Sequence, residues 1–187
     1  RAAASLSKLT GERVELEAPE VAIYPVKDLP RELGRVVQGE VATVHQLFSG
    51  PVAGDALLVL DAQGAALLKE LLTGEPALPL AMDATSQEVV TEIGNILLNA
   101  CLGMFGNLLQ VQVSFSVPRL TLDGLSTVLD SITVHSQGLR YGLVVHAAFR
   151  VRHGEVSGYL VIVLSVASLD RLLIAVDSWQ ARQVGPQ

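Results

Sequence analysis

Residues 91–118, TEIGNILLNACLGMFGNLLQVQVSFSVP, hold two patterns in succession. Apolar residues first recur at helical spacing, at Ile93, Ile96, Leu97 and Ala100. From Gln110 the chain turns to alternation, and Pro118 interrupts it. A 3.6-residue period that gives way to a two-residue period marks a helix running into a strand. Proline donates no hydrogen bond, so it belongs at a strand edge or a bulge. The pattern predicts a long helix over Ser86–Leu109 and a strand over Gln110–Leu122.

Outward from this stretch, the same order occurs twice. The first half predicts a helix, Ala2–Thr10, stopped by Gly11, then a strand, Val14–Val26, with Pro19 inside it. A short helix follows over Leu29–Val37, where Asp28, Pro30 and Glu32 are helix-start signals. Strands Glu40–Phe48 and Ala56–Leu60 flank the turn SGPVAGD, and a helix, Ala65–Leu72, ends at Gly74. After the Pro-containing linker Glu75–Thr85 come the long helix and its strand, then a short helix, Leu125–Ile132. Strands Leu139–Arg152 and Val156–Val166 are joined through HGE, and a helix, Leu169–Trp179, closes the half. Pro19 matches Pro118, His45 and Phe48 match His146 and Phe149, and Leu60, Leu68 and Leu72 match Leu164, Leu172 and Val176. The offset stays near one hundred residues, roughly the length of a small domain. Two repeats are expected, about 1–79 and 80–179, with a polar, frayed tail over 180–187. Strand pairs with short turns make the sheet largely antiparallel, and the fold class is α+β with long helices packed on that sheet.

Composition limits what such a domain can do. Half of the 187 residues are apolar, enough for a proper core. The net charge is −6 and the 13 Lys and Arg form no run, which argues against nucleic acid or an anionic membrane as partner. The lone Cys101 excludes a disulfide framework and fits a reducing compartment. The most apolar run, YLVIVLSVA (159–167), is far short of the ~20 residues of a membrane helix and reads as a buried strand. RAAASLSKL lacks the apolar stretch of a signal peptide. A soluble, cytoplasmic protein is expected, without membrane insertion.

The usual chemical motifs are missing. His45, His135, His146 and His153 form no metal-ligand pattern, so no metal site is expected. Cys101 falls on the apolar side of the long helix and reads as a small hydrophobe. No P-loop, dinucleotide fingerprint or nucleophile elbow occurs. A polar stripe remains: Glu88, Glu92, Asn95 and Asn99, at i, i+4, i+7 and i+11 of the long helix. By physical chemistry alone a solvated face is the favoured reading. Thr85 and Glu88 also fit a capping box, with Thr85 as N-cap. The two Asn residues are harder to explain, since each costs roughly half a kcal/mol against Ala inside a helix.

Glu92, two residues, Asn95, twenty-two residues and then Pro118 resemble the signature of the CheC/CheX/FliY family of chemotaxis phosphatases. TEIGNILLNA resembles the wording of that motif in CheC-type members. SLSKLTGERVELEAPEVAIYP (5–25) resembles the stretch that follows a first copy of it. The resemblance spans the whole chain and implies a single CheC-like domain. Two departures stand out. The family usually has Asp or Ser where Glu88 stands. Counting back from Pro19, a first copy's Glu and Asn would precede Arg1, so the sequence presents one complete site.

The resemblance implies dephosphorylation of a CheY-type response regulator, with Glu92 and Asn95 as the catalytic pair and Glu88 and Pro118 as supporting positions. It implies no cofactor of the chain's own; Mg²⁺ is expected in the partner's site, beside a lysine. Phosphoryl transfer is mostly positioning and electrostatics, and a side-chain amide can orient the attacking water. Glu92, one turn earlier, suits pairing with the partner's lysine. The alternative is a non-catalytic adaptor, a flagellar-switch component or a module that binds the receptor deamidase CheD. A small-molecule sensor has no support beyond the apolar content.

Overall fold

The computed structural model of the chain describes residues 7–8, 13, 15–16, 20–74, 83–135, 139–151 and 154–183. The strands are β1 (Glu15–Leu16), β2 (Glu20–Pro25), β3 (Glu40–Ser49), β4 (Gly54–Asp61), β5 (Ser114–Phe115), β6 (Arg119–Gly124), β7 (Leu139–Val151) and β8 (Gly154–Ser165). The helices are α1 (Leu29–Leu33), α2 (Ala62–Thr73), α3 (Ala84–Leu109), α4 (Leu125–His135) and α5 (Val166–Gln183). The expected α+β class and its paired repeats are met. Of the expected helix Ala2–Thr10, only Ser7 and Lys8 are described, and both are helical. Pro19, His153, the linker residues 75–82 and the tail residues 184–187 lie outside the described residues.

All strands join one antiparallel sheet in the order β1-β7-β8-β4-β3-β5, with β2 also on β7 and β6 also on β3. The halves therefore exchange strands. β2 of the first half borders the second half's β7–β8 hairpin, and β6 of the second borders the first half's β3–β4 hairpin. The duplication extends to the register: Glu20, after Pro19, pairs with His146, and Arg119, after Pro118, pairs with His45. The seam between the halves is β4 on β8, where Gly54 to Leu60 run against Leu164 to Gly158.

Exchange requires each chain segment from β2 to β3, and from β6 to β7, to cross three intervening strands. Four inter-strand gaps of ~4.8 Å make about 19 Å. The two crossings run through α1, within residues 26–39, and through α4, and these helices pack together on one face. The long helices α2, α3 and α5 cover the other face. The core is accordingly split. Val41, Leu57, Val59, Val161 and Val163 face the crossing helices, while Val44, Leu58, Leu60, Ile162 and Leu164 face the long ones. A strand buried on both faces has no polar side, which explains the unbroken apolar run in β8.

The caps set the helix ends, and they correct several expected boundaries. Asp61 accepts from the backbone N–H of Gly64 at 2.6 Å, so α2 begins at Ala62 rather than Ala65. At the matching place in the second half, Ser165 Oγ accepts from the N–H of Ser168 at 3.1 Å, and α5 runs from Val166 to Gln183, beyond the expected Trp179. The long helix is capped by Asp83, whose carboxylate accepts from the N–H of Ser86 at 2.9 Å and from its hydroxyl. The expected Thr85–Glu88 capping box does not form. Asp is the stronger N-cap, and with Asp83 in place Thr85 is already inside the helix. Glu88 is exposed and makes no side-chain hydrogen bond or ion pair with described residues. The strand expected over Gln110–Leu122 is broken in two at the 116–118 segment that holds Pro118; of the strand expected over Val14–Val26, Glu15–Leu16 and Glu20–Pro25 are extended.

On the long helix, Gly94 allows close approach to the sheet. A Cβ there would lie 2.6 Å from three carbons of the Val44 side chain, whereas Gly103 faces open space. Val44 is fully buried on an inner strand and cannot yield. We expect Gly94→Ala to lose about 1–2 kcal/mol of stability in urea unfolding, because overpacking outweighs the ~1 kcal/mol gain in helix propensity. An equally stable variant would mean that α3 is free to lift from the sheet.

The cap has a pH signature. The Ser86 hydroxyl, then the Ser86 N–H, hold the Asp83 carboxyl below its ordinary 3.8. A pKa lowered by folding stabilises in full above the unfolded value, and that contribution is lost as pH falls through the folded value. Asn caps without titrating, so the stability advantage of the native chain over Asp83→Asn should shrink between about pH 5 and pH 3. A constant difference in urea unfolding at the two pH values would rule out the charged cap.

Candidate functional site

The site is one edge of α3. Val90, Ile93, Leu98 and Leu102 are buried in the core, and Gly94 presses the helix onto β3. The polar stripe lies along the remaining edge and is graded in depth: Glu88 and Glu92 are exposed, and Asn95 and Asn99 are half-buried. An α-helix with a rigid apolar seat fixes where such side chains begin, which is what a positioning site needs.

Three of the four stripe residues are linked. Asn99 Nδ2 donates to Asn95 Oδ1 at 2.7 Å, and Asn95 Nδ2 donates to Glu92 Oε2 at 3.4 Å. The first is a full-strength bond, and the second is near the limit of one. Asn95 is thus held firmly from Asn99 and loosely from Glu92. Breaking the Glu92 contact costs little, and the Asn99 bond remains. Asn99 bears the penalty: its Oδ1 is buried and has no hydrogen-bond partner among the described residues. A buried acceptor left unpaired costs about 1–3 kcal/mol.

Asn95 retains one N–H and one carbonyl lone pair for a ligand. Together with the exposed Glu92 carboxylate, the site offers a donor, an acceptor and a negative charge within one helical turn. It suits a polar, cation-bearing surface and an ordered water. Pro118 is half-buried in the break between β5 and β6. Next to it, Ser116 ties the break to β3: its Oγ accepts from the N–H of Leu47 at 2.9 Å, and its carbonyl accepts from Gln46 Nε2 at 2.8 Å. Beyond the break, Leu120 of β6 packs into the core under the long helices. Pro118 therefore shapes the sheet edge beside α3 and supplies no polar group.

The other titratable candidates stand apart. His45 and His146 occupy matching register positions with different partners. His45 Nε2 lies 2.7 Å from Asp55 Oδ1, and His146 stacks on Tyr159 with ring centres 4.8 Å apart. Burial pushes the Cys101 thiol up to about 11, which keeps it protonated at neutral pH. Among the described residues no group of three or more His, Cys, Asp or Glu side chains is placed to hold a metal ion. No helix among them is long and apolar enough to cross a membrane. Asn99 is the residue whose part sequence reasoning left unassigned; its i+4 spacing from Asn95 was the available signal.

No family profile matches the chain. Solved structures do match. FliY from Thermotoga maritima superposes with a TM-score of 0.72 at 18% identity, over 93% of this chain and 87% of that one. The middle domain of FliM from Vibrio alginolyticus superposes at 0.65 and 14% identity, over 92% and 91%. CheX in the CheX–CheY–BeF3–Mg²⁺ complex of Borrelia burgdorferi matches at 0.50 and 17% identity, over 88% and 94%. In its fold, the chain is similar to the FliY, FliM middle-domain and CheX proteins.

Proposed function

We propose that the chain hydrolyses the aspartyl phosphate of a CheY-type receiver domain, as a member of the CheC/CheX/FliY family. The observation that carries this reading is the Glu92–Asn95–Asn99 ladder along the open edge of α3. The solved complex of CheX with CheY, on the same fold, supports it. An aspartyl phosphate is an acyl phosphate, already activated toward water. What the reaction lacks is a water held in line with the phosphorus. Asn95 accepts from that water through the free lone pair of Oδ1, and its free N–H donates to a phosphoryl oxygen. The water oxygen bonds to phosphorus as the bond to the aspartyl oxygen breaks. Aspartate leaves as carboxylate, and the water's proton passes to solvent through the phosphate released. Glu92 docks the partner by pairing with its lysine. The partner carries its own Mg²⁺, so the chain needs no metal. A cytoplasmic location follows from that partner.

A second reading has its own support. The likeness to the FliM middle domain favours an adaptor that binds without turnover, and CheD belongs with that reading as a partner. One assay separates the two: phosphorylated receiver domain is mixed with the chain and phosphate release is followed. We expect acceleration by the native chain, a loss of about 10²-fold in Asn95→Ala, and unchanged affinity for the receiver. A stable complex without faster release would establish the adaptor. Wild-type turnover by Asn95→Ala would remove Asn95 from the chemistry.

A further inference from the structure

We propose that Asn99 is a positioning residue that sets the orientation of the Asn95 amide; the inference rests on the phosphatase reading of the site. The direction of the ladder is forced. A carboxylate only accepts, so the atom of Asn95 that faces Glu92 Oε2 is Nδ2. Asn95 Oδ1 then faces Asn99, and only Nδ2 of Asn99 can answer it, at 2.7 Å. That choice leaves Asn99 Oδ1 buried and without a partner. Turning the Asn99 amide over would set two oxygens against each other. A Leu at this position would serve the fold better on every count, since it has higher helix propensity and no polar atom to strand. The stranded oxygen therefore accompanies a benefit that is not stability.

The benefit falls at the moment of docking. Glu92 is bound to Asn95 at only 3.4 Å, and it turns to the partner's cation when the complex forms. Among the described residues, Asn99 is then the one hold on Asn95. With it, Oδ1 keeps a single free lone pair aimed outward and Nδ2 stays on the partner's side. Without it, the amide turns over freely and presents the wrong atom for part of the time.

The test uses the whole chain and phosphorylated receiver domain, with two variants and three readouts. Asn99→Leu removes the donor and the stranded oxygen together. We expect an equal or higher melting temperature, an unchanged KM for the receiver and a kcat lower by about ten-fold. Asn99→Asp keeps the shape but replaces the donor by an acceptor. It should turn the Asn95 amide over and lose kcat to a similar degree, with activity recovering as the pH is lowered and the new carboxyl regains a proton to donate. The third readout is the ¹⁵N signal of the Asn95 side-chain amide. It should be slow to exchange in the native chain and shifted and broadened in both variants. Wild-type kcat in Asn99→Leu, or an Asn95 amide signal indifferent to both changes, would overturn the proposal. If the native chain itself releases no phosphate, the phosphatase reading falls, and the amide signal alone decides whether Asn99 holds Asn95.

Discussion

The antiparallel pairing of β4 with β8 is the contact on which the other features depend. It joins the two halves at the middle of the sheet, where Ala56, Leu57, Leu58, Val59 and Leu60 are all buried. A strand in that position exposes apolar side chains on both faces. Each face must then be covered by helices, and the chain supplies two different covers. The crossing helices α1 and α4 close one face, and α2, α3 and α5 close the other. At ~25 cal/mol per Å² of apolar surface, these buried faces outweigh any single cap or surface ion pair. The pairs among Arg31, Arg35, Asp28 and Glu32 join exposed arginines and contribute little by comparison.

The site follows from that core. α3 owes its depth to the lack of a side chain at Gly94, which lets its backbone sit against Val44. The next residue in the chain is Asn95. The close seat and the polar stripe are thus neighbours in sequence, and the helix is seated most tightly beside Asn95. The stripe is graded by depth: the exposed carboxylate of Glu92 is held at 3.4 Å, and the half-buried amide of Asn95 is held at 2.7 Å by Asn99.

Much of this was legible in the sequence, for physical reasons that can be named. The order of elements followed from the change of period at Gln110 and from its echo in the first half. The stripe followed from spacing alone. Helix starts were harder, because Asp61 and Asp83, the residues that cap, stand upstream of the apolar periodicity and of the Thr85–Glu88 pattern. Asp61 starts α2 three residues early, and Asp83 displaces the Thr85–Glu88 box. The exchange of strands was not legible, because a fourteen-residue connection across a sheet carries no mark of which strand it will border. The hydrogen bond of Asn99 was hidden for another reason. A poor helix former at i+4 marks an oddity, but only the geometry reveals a donor in use and an acceptor stranded.

Strand exchange also governs how the chain can be made. On a ribosome, β2 emerges early, yet its neighbour β7 is synthesised more than one hundred residues later. The β3–β4 hairpin has an open edge on each side until β6 and then β8 follow. The nascent first half is therefore one apolar hairpin with two open edges and an unpaired β2, and its remaining sheet contacts wait for the second half. Such non-local pairing slows folding and exposes edges that invite association. The same geometry is that of two identical chains that swap their edge strands. A two-fold pair of half-length chains would reproduce the edge pairing, with Glu20 on His146 as Arg119 on His45, but not the hairpins, where His45 faces Leu57 and His146 faces Tyr159 rather than Val161.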